Sequence, residues 1–187
     1  MTRTFIAILL PDAWTIYLRD HLRQLSEKVA GLSWVRPENM HVTVRFLGDL
    51  TDEDVAGVRD SVRRAAASLH APVARLGGLG TFHNPRRATV LWVGFLRGEE
   101  EMKALAGAID EDLARDGFGR ADKPFRAHVT VARPRSGVGF EPLLDRPFDN
   151  PPPEEPLRRL AVMKSDLHPS GARYTVLEEL RLLEPAH

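Results

Sequence analysis

Two identical four-residue stretches carry the side chains of this chain best suited to chemistry. They read His41-Val42-Thr43-Val44 and His128-Val129-Thr130-Val131 and lie 87 residues apart. Both sit in runs rich in β-branched residues, HVTVRFLG and HVTVAR, which favour extended backbone. Alternate side chains of a strand share a face, so each copy offers an imidazole beside a hydroxyl, with its valines turned the other way. One such pair is ordinary strand sequence. Two identical copies, one in each half of the chain, suggest a duplicated unit whose halves face each other. Two imidazoles and two hydroxyls would then converge on one cleft.

Imidazole titrates nearest neutrality, so it serves as acid or base at little cost. In-line phosphoryl transfer needs one of each: the attacking oxygen loses a proton, and the leaving oxygen, on the far side of phosphorus, gains one. The threonines can donate to non-bridging oxygens, and an arginine can neutralise developing charge. Arginines follow both copies closely, as Arg45 and Arg133. Rival chemistries lack their signatures. Two histidines fall short of the three protein ligands usual for catalytic zinc, and there is no HExxH. The sequence has no GxSxG elbow and no GxxxxGK[ST] loop. It has no cysteine either, which removes disulfides, thiol catalysis and cysteine-bound zinc.

The elements that must hold these residues follow from periodicity and turn signals. A strand over 4–10 ends at Pro11, and a helix from Asp12 presents Trp14, Leu18, Leu22, Leu25 and Val29 before Gly31. Trp34-Val35-Arg36 is extended, and Pro37-Glu38-Asn39 turns the chain into the first HVTV strand, which Gly48 and Asp49 close. Thr51 caps a second helix with Val55, Val58, Val62, Ala66 and Leu69 inward. Strands are predicted over 73–79 and 88–95, joined by a loop that holds Phe82, His83, Arg86 and Arg87. A third helix over 99–115 points Met102, Leu105, Ile109 and Leu113 inward and stops at Gly117. After the second HVTV strand, residues 134–157 hold seven prolines and read as an irregular connection with one helical turn near Leu143. Strands over 157–167 and 173–183 close the chain as a hairpin. Strands too often follow one another for a doubly wound parallel sheet. The pattern predicts an α+β fold of two antiparallel-rich sheets, one HVTV strand in each, with helices outside and the histidines on the inner faces.

The chain has 187 residues and no net charge, with 43 % hydrophobic and 28 % charged residues. That suits one two-lobed domain spanning 1–187, with no global field toward nucleic acid or membrane. No run of 18 apolar residues occurs, and the opening MTRTFIAILLPDAW lacks the features of a signal peptide, so a cytoplasmic monomer is expected.

The paired HxT motifs are the signature of the two-histidine (2H) phosphoesterases, which the sequence resembles. Within that superfamily it is similar to the RNA 2′,3′-cyclic phosphodiesterases, also called 2′-5′ RNA ligases. The resemblance runs nearly end to end through Arg3 and Phe5, Trp34-Val35, Pro37-Glu38-Asn39, Phe46-Leu47-Gly48, Gly78-Leu79-Gly80 with Phe82, Arg87, Leu91-Trp92, Phe125, and Ser165, Leu167, Gly171 and Tyr174. It implies a bilobal fold with pseudo-two-fold symmetry, catalysis without metal or cofactor, and RNA ends bearing 2′,3′-cyclic phosphate as substrate, with reversible 2′-5′ ligation as a second reaction. Carried over, His41 is the acid and His128 the base, Thr43 and Thr130 bind phosphate, and Arg133 assists. Ala127 stands where the family more often has proline. Beside that, Phe82 reads either as a stacking surface for a nucleobase or as core, Arg86 and Arg87 either as contacts for backbone phosphates or as an exposed salt-bridging pair, and Trp34 as core. Two other readings remain open: a non-catalytic module that binds RNA ends, and a phosphodiesterase for small cyclic nucleotides or an ADP-ribose derivative.

Overall fold

The computed structural model describes all residues except 28, 83–88, 135–140, 145–147, 149, 169, 170 and 187. Its first strand, β1 (Thr2–Leu9), runs into α1 (Asp12–Ser26) across Pro11. A short β2 (Leu32–Trp34) and a single 3-10 turn (Pro37–Asn39) deliver the chain to β3 (His41–Leu50). Then come α2 (Asp52–Ala66), β4 (Val73–Thr81), β5 (Leu91–Arg97), α3 (Glu99–Arg115) and β6 (Val129–Pro134). One turn of helix, α4 (Glu141–Leu144), lies where the proline-rich segment was expected to hold one, followed by β7 (Glu155–Pro156), β8 (Arg159–Asp166) and β9 (Arg173–Arg181).

The helices form where their apolar spacing demands it. Trp14, Leu18, Leu22 and Leu25 are buried on α1, and Met102, Leu105, Ile109 and Leu113 on α3, as the periodicity predicts. Helix α1 stops at Ser26, short of Val29 and Gly31; the Glu27 amide caps it by donating to the Arg23 carbonyl oxygen at 3.2 Å. Thr51 and Asp54 close a reciprocal capping box on α2, which satisfies two otherwise orphaned amides.

The α+β class is as expected, and every strand pairing is antiparallel. The division into two sheets is not. The strands make one hydrogen-bonded path, β7-β4-β5-β6-β3-β1-β8-β9, with β2 also on β6. The two motif strands are therefore neighbours, not members of separate sheets. They meet at a single registered pair, Val42 with Val129, and four strands of the path lie on either side of it. This thin seam brings the two motifs together.

One face of the sheet carries the main core. Ile6, Ile8, Val42, Val44, Val129 and Val131 pack there with the buried faces of α1, α2 and α3. The opposite face holds a small separate cluster of Phe5, Ala7, Ala161 and Met163, with Leu9 and Tyr174 against it. No helix among the described residues is long and apolar enough to cross a membrane.

Candidate active site

His41 opens β3 directly after the 3-10 turn, and its ring folds back on that turn. Nδ1–H donates to the Asn39 carbonyl oxygen at 2.8 Å. His128 stands just ahead of β6 and does the same: its Nδ1–H donates to the Arg126 carbonyl oxygen, also at 2.8 Å. A carbonyl oxygen only accepts, so each bond fixes Nδ1 as the protonated nitrogen and leaves Nε2 as the titrating one. Nε2 of His41 lies 3.1 Å from the Thr43 hydroxyl. The Asn39 side chain also donates to the Ala172 carbonyl oxygen at 3.0 Å, which ties the turn below His41 to the entrance of β9.

Aromatic rings wall both imidazoles. Phe5 and Tyr174 stand 5.0 and 5.3 Å from His41, Tyr174 edge-on. Phe82 stands edge-on to His128 at 4.8 Å and leans on Trp92 at 5.7 Å. Burial among these rings holds both imidazoles below the ordinary histidine pKa, because it penalises the charged form. The carbonyl acceptors oppose the shift. Each ring also feels a cation across the site: a charged His128 disfavours charge on His41, and Arg133 disfavours it on His128. In the empty site both imidazoles are thus biased toward the neutral form.

A pocket of about 90 Å³ opens at this place, lined by Val35, Asn39, His41, Thr43, Thr130, Arg133 and Tyr174. A larger cleft of about 360 Å³ lies elsewhere, between β3, α3 and residues 121–125, and is lined by Arg45, Lys103, Asp110, Asp122 and Lys123 among others. It carries neither histidine, whereas the smaller pocket is lined by His41 and lies within electrostatic reach of His128.

Which arginine reaches the pocket is decided by two β-bulges. Opposite β1, Thr43 registers with Ala7 and Arg45 with Ile6, so Val44 is the extra residue. Opposite β5, Thr130 registers with Trp92 and Ala132 with Leu91, so Val131 is the extra residue. The bulge falls on the fourth residue of each motif and reverses the faces beyond it. Plain alternation from His41 would put Arg45 in the site. Instead Arg45 is 8 % exposed on the helix side, where it meets Asp110 and donates to the Gly119 carbonyl oxygen at 3.3 Å. Plain alternation from His128 would turn Arg133 away, and the second bulge returns it to the pocket.

Comparison with known proteins gives the family. The family described as LigT like Phosphoesterase matches residues 17–92, which include the first motif. An Archaeoglobus fulgidus protein named RNA 2′,3′-cyclic phosphodiesterase is 31 % identical, over 97 % of this chain and 99 % of its own. A Thermus thermophilus protein of the same name is 32 % identical, over 96 % of this chain and 90 % of its own. The chain belongs to the LigT-like phosphoesterase family. The fold agrees: the crystal structure of TT0787 from Thermus thermophilus superposes with a TM-score of 0.78 at 28 % identity, covering 97 % of this chain and 98 % of the other.

For a LigT-like chain, the sequence finds most of the side chains that meet here. His41, Thr43, Thr130 and Arg133 line one pocket, and His128 with Phe82 stands beside it. Trp34 is half-buried against the main core. Arg87 and His83 lie outside the described residues. The sequence reading left Asn39 and Phe5 without a role in the site. Nothing in the spacing marks them, because each reaches His41 through a turn or a neighbouring strand. Among the described residues no group of three or more His, Asp or Glu side chains is arranged to hold a metal ion.

Proposed function

We propose that this LigT-like phosphoesterase opens RNA 2′,3′-cyclic phosphate ends to 2′-phosphomonoesters by metal-independent, two-histidine acid–base catalysis. One observation carries the reading: both motif imidazoles are held by the same Nδ1–H bond to a carbonyl two residues back, which frees both Nε2 atoms, that of His41 in a pocket shared with Thr43, Thr130 and Arg133. The names of the relatives supply the substrate class.

In this reading the cyclic phosphate sits between the imidazoles. His128 Nε2 takes a proton from water, whose oxygen forms the new bond to phosphorus. The bond from phosphorus to O3′ breaks, and O3′ takes the proton of His41. Thr43, Thr130 and Arg133 meet the charge that gathers on the non-bridging oxygens. The empty site disfavours imidazolium, so the anionic substrate itself raises the pKa of His41 and charges the acid. With a 5′-hydroxyl end in place of water, the same path forms a 2′-5′ linkage, and attack of O3′ on that linkage reverses it. The whole chain, 1–187, works as one two-lobed domain, because each half supplies one imidazole.

The test is an oligoribonucleotide ending in 2′,3′-cyclic phosphate, incubated with purified protein in excess EDTA beside free cyclic mononucleotides. Accumulation of a terminal 2′-phosphomonoester is the expected result. Binding without turnover, or activity lost to EDTA and restored by zinc or manganese, would overturn the proposal.

A further inference from the structure

The pocket face continues beyond the pocket. Alternate residues of β1 share a face, so Arg3 lies on the same side as Phe5, Ala7 and Leu9, which pack beneath His41 and Thr43. Phe46 registers directly opposite Phe5, which places it on that face too, and it is 49 % exposed. The guanidinium carbon of Arg3 stands 4.5 Å above the Phe46 ring. No carboxylate among the described residues pairs with Arg3, not even Asp49, its cross-strand neighbour, whereas Arg59, Arg63 and Arg159 all hold glutamates. An unneutralised guanidinium stacked on an exposed ring combines a phosphate ligand with a planar surface for a base. The row of Ala7 and Thr43 and the row of Phe5 and Phe46 are two β1 residues apart, about 7 Å, and Arg3 lies about as far again.

The direction of the RNA follows from the proposed reaction, on which this inference rests. His41 protonates O3′, so the terminal ribose lies on its side of the seam. The chain leaving that ribose through O5′ then runs over the face built by β3, β1, β8 and β9. We infer that Arg3 and Phe46 form the subsite for the nucleotide preceding the cyclic-phosphate nucleotide of a single-stranded RNA end. Its base stacks on the Arg3–Phe46 pair, and the phosphate joining it to the terminal nucleotide pairs with Arg3.

Adenosine 2′,3′-cyclic phosphate and a diadenylate with the same cyclic end separate this subsite from the active site. The wild type should favour the dinucleotide in kcat/KM. Phe46→Ala and Arg3→Ala should each reduce that preference by about 5- to 150-fold, the measured range for one base stack, while turnover of the mononucleotide stays at the wild-type level. Arg3→Gln should also flatten the salt dependence on the dinucleotide by about 0.7 in log–log slope, one phosphate contact on a single strand. If the alanine variants fail to fold, Phe46→Leu and Arg3→Gln give the same readout. Equal losses on both substrates, no loss on either, or a wild type that does not distinguish them would each overturn the subsite. A wild type that opens neither would instead overturn the phosphodiesterase reading beneath it.

Discussion

At the scale of single residues, the two histidines differ from free imidazole in one consistent way: burial lowers both pKa values below 6.5. The kcat/KM profile reports the free enzyme, so its bell should be centred below pH 6.5. The kcat profile reports the complex, in which the bound anion favours imidazolium, so its optimum should lie at higher pH. Rates measured from pH 4.5 to 9 check both, and a kcat/KM optimum above pH 7 would contradict the burial argument. His41→Ala and His128→Ala should each lower kcat by about 10²–10⁴. The double variant should lose much less than the product, because in the proposed reaction the two act as one unit. Arg133→Ala should lower kcat/KM on the cyclic phosphate, while Arg45→Ala acts mainly on stability by leaving Asp110 without its buried partner. Thermal melts beside steady-state kinetics separate the two arginines. The HVTV repeat made the histidines and threonines legible in the sequence. The carbonyls that hold each Nδ1 were not, because they depend on how the backbone enters each strand.

At the scale of elements, the bulges at Val44 and Val131 mark where alternation stops being a guide. Strand period assigns Arg45 to the site and Arg133 to the core, and both assignments are inverted by one extra residue in each strand. The family resemblance pointed to Arg133 without a physical reason, and the bulge supplies one. The wall behind His128 depends on glycine in a similar way. A Cβ at Gly80 or Gly94 would press into the Trp92 ring, so the indole lies against bare backbone of β4 and β5, with Phe82 between it and His128. Gly80→Ala should therefore cost about 1–3 kcal/mol by overpacking. It should also lower kcat through displacement of Phe82 and His128, with a changed basic-group limb in the pH profile. Thr51→Ala, which removes the α2 cap, should cost about 1 kcal/mol and leave kcat unchanged. Chemical denaturation and kinetics on the two variants distinguish a wall of the site from a distant cap.

At the scale of the whole molecule, the sequence anticipated two halves and the structure joins them more closely than expected. Apolar period and turn residues cannot tell two sheets from one path, because both bury the same faces. The difference lies in a single pair, Val42 with Val129, across which the two motifs meet. That placement couples stability to pH. Each histidine has a lowered pKa when folded, so below pH 6.5 the unfolded chain binds more protons than the native one. Native stability is then fully present above the unfolded value of 6.5 and falls as the pH drops below it. The glutamates held low by arginines, Glu178, Glu179 and Glu184, lose their contribution only nearer their ordinary value of 4.5, so His41 and His128 contribute to the slope between pH 7.5 and 5.5 and these glutamates do not. The melting temperature should fall over that range, and a His41→Gln/His128→Gln variant should lose most of the fall. In the proposed site an anion pairs with the charged imidazoles, so inorganic phosphate should raise the wild-type melting temperature more at pH 5.5 than at 7.5 and do little for the double variant. A wild type whose melting temperature is flat from pH 7.5 to 5.5, or a double variant with an undiminished slope, would show that charge on the two imidazoles does not strain the seam.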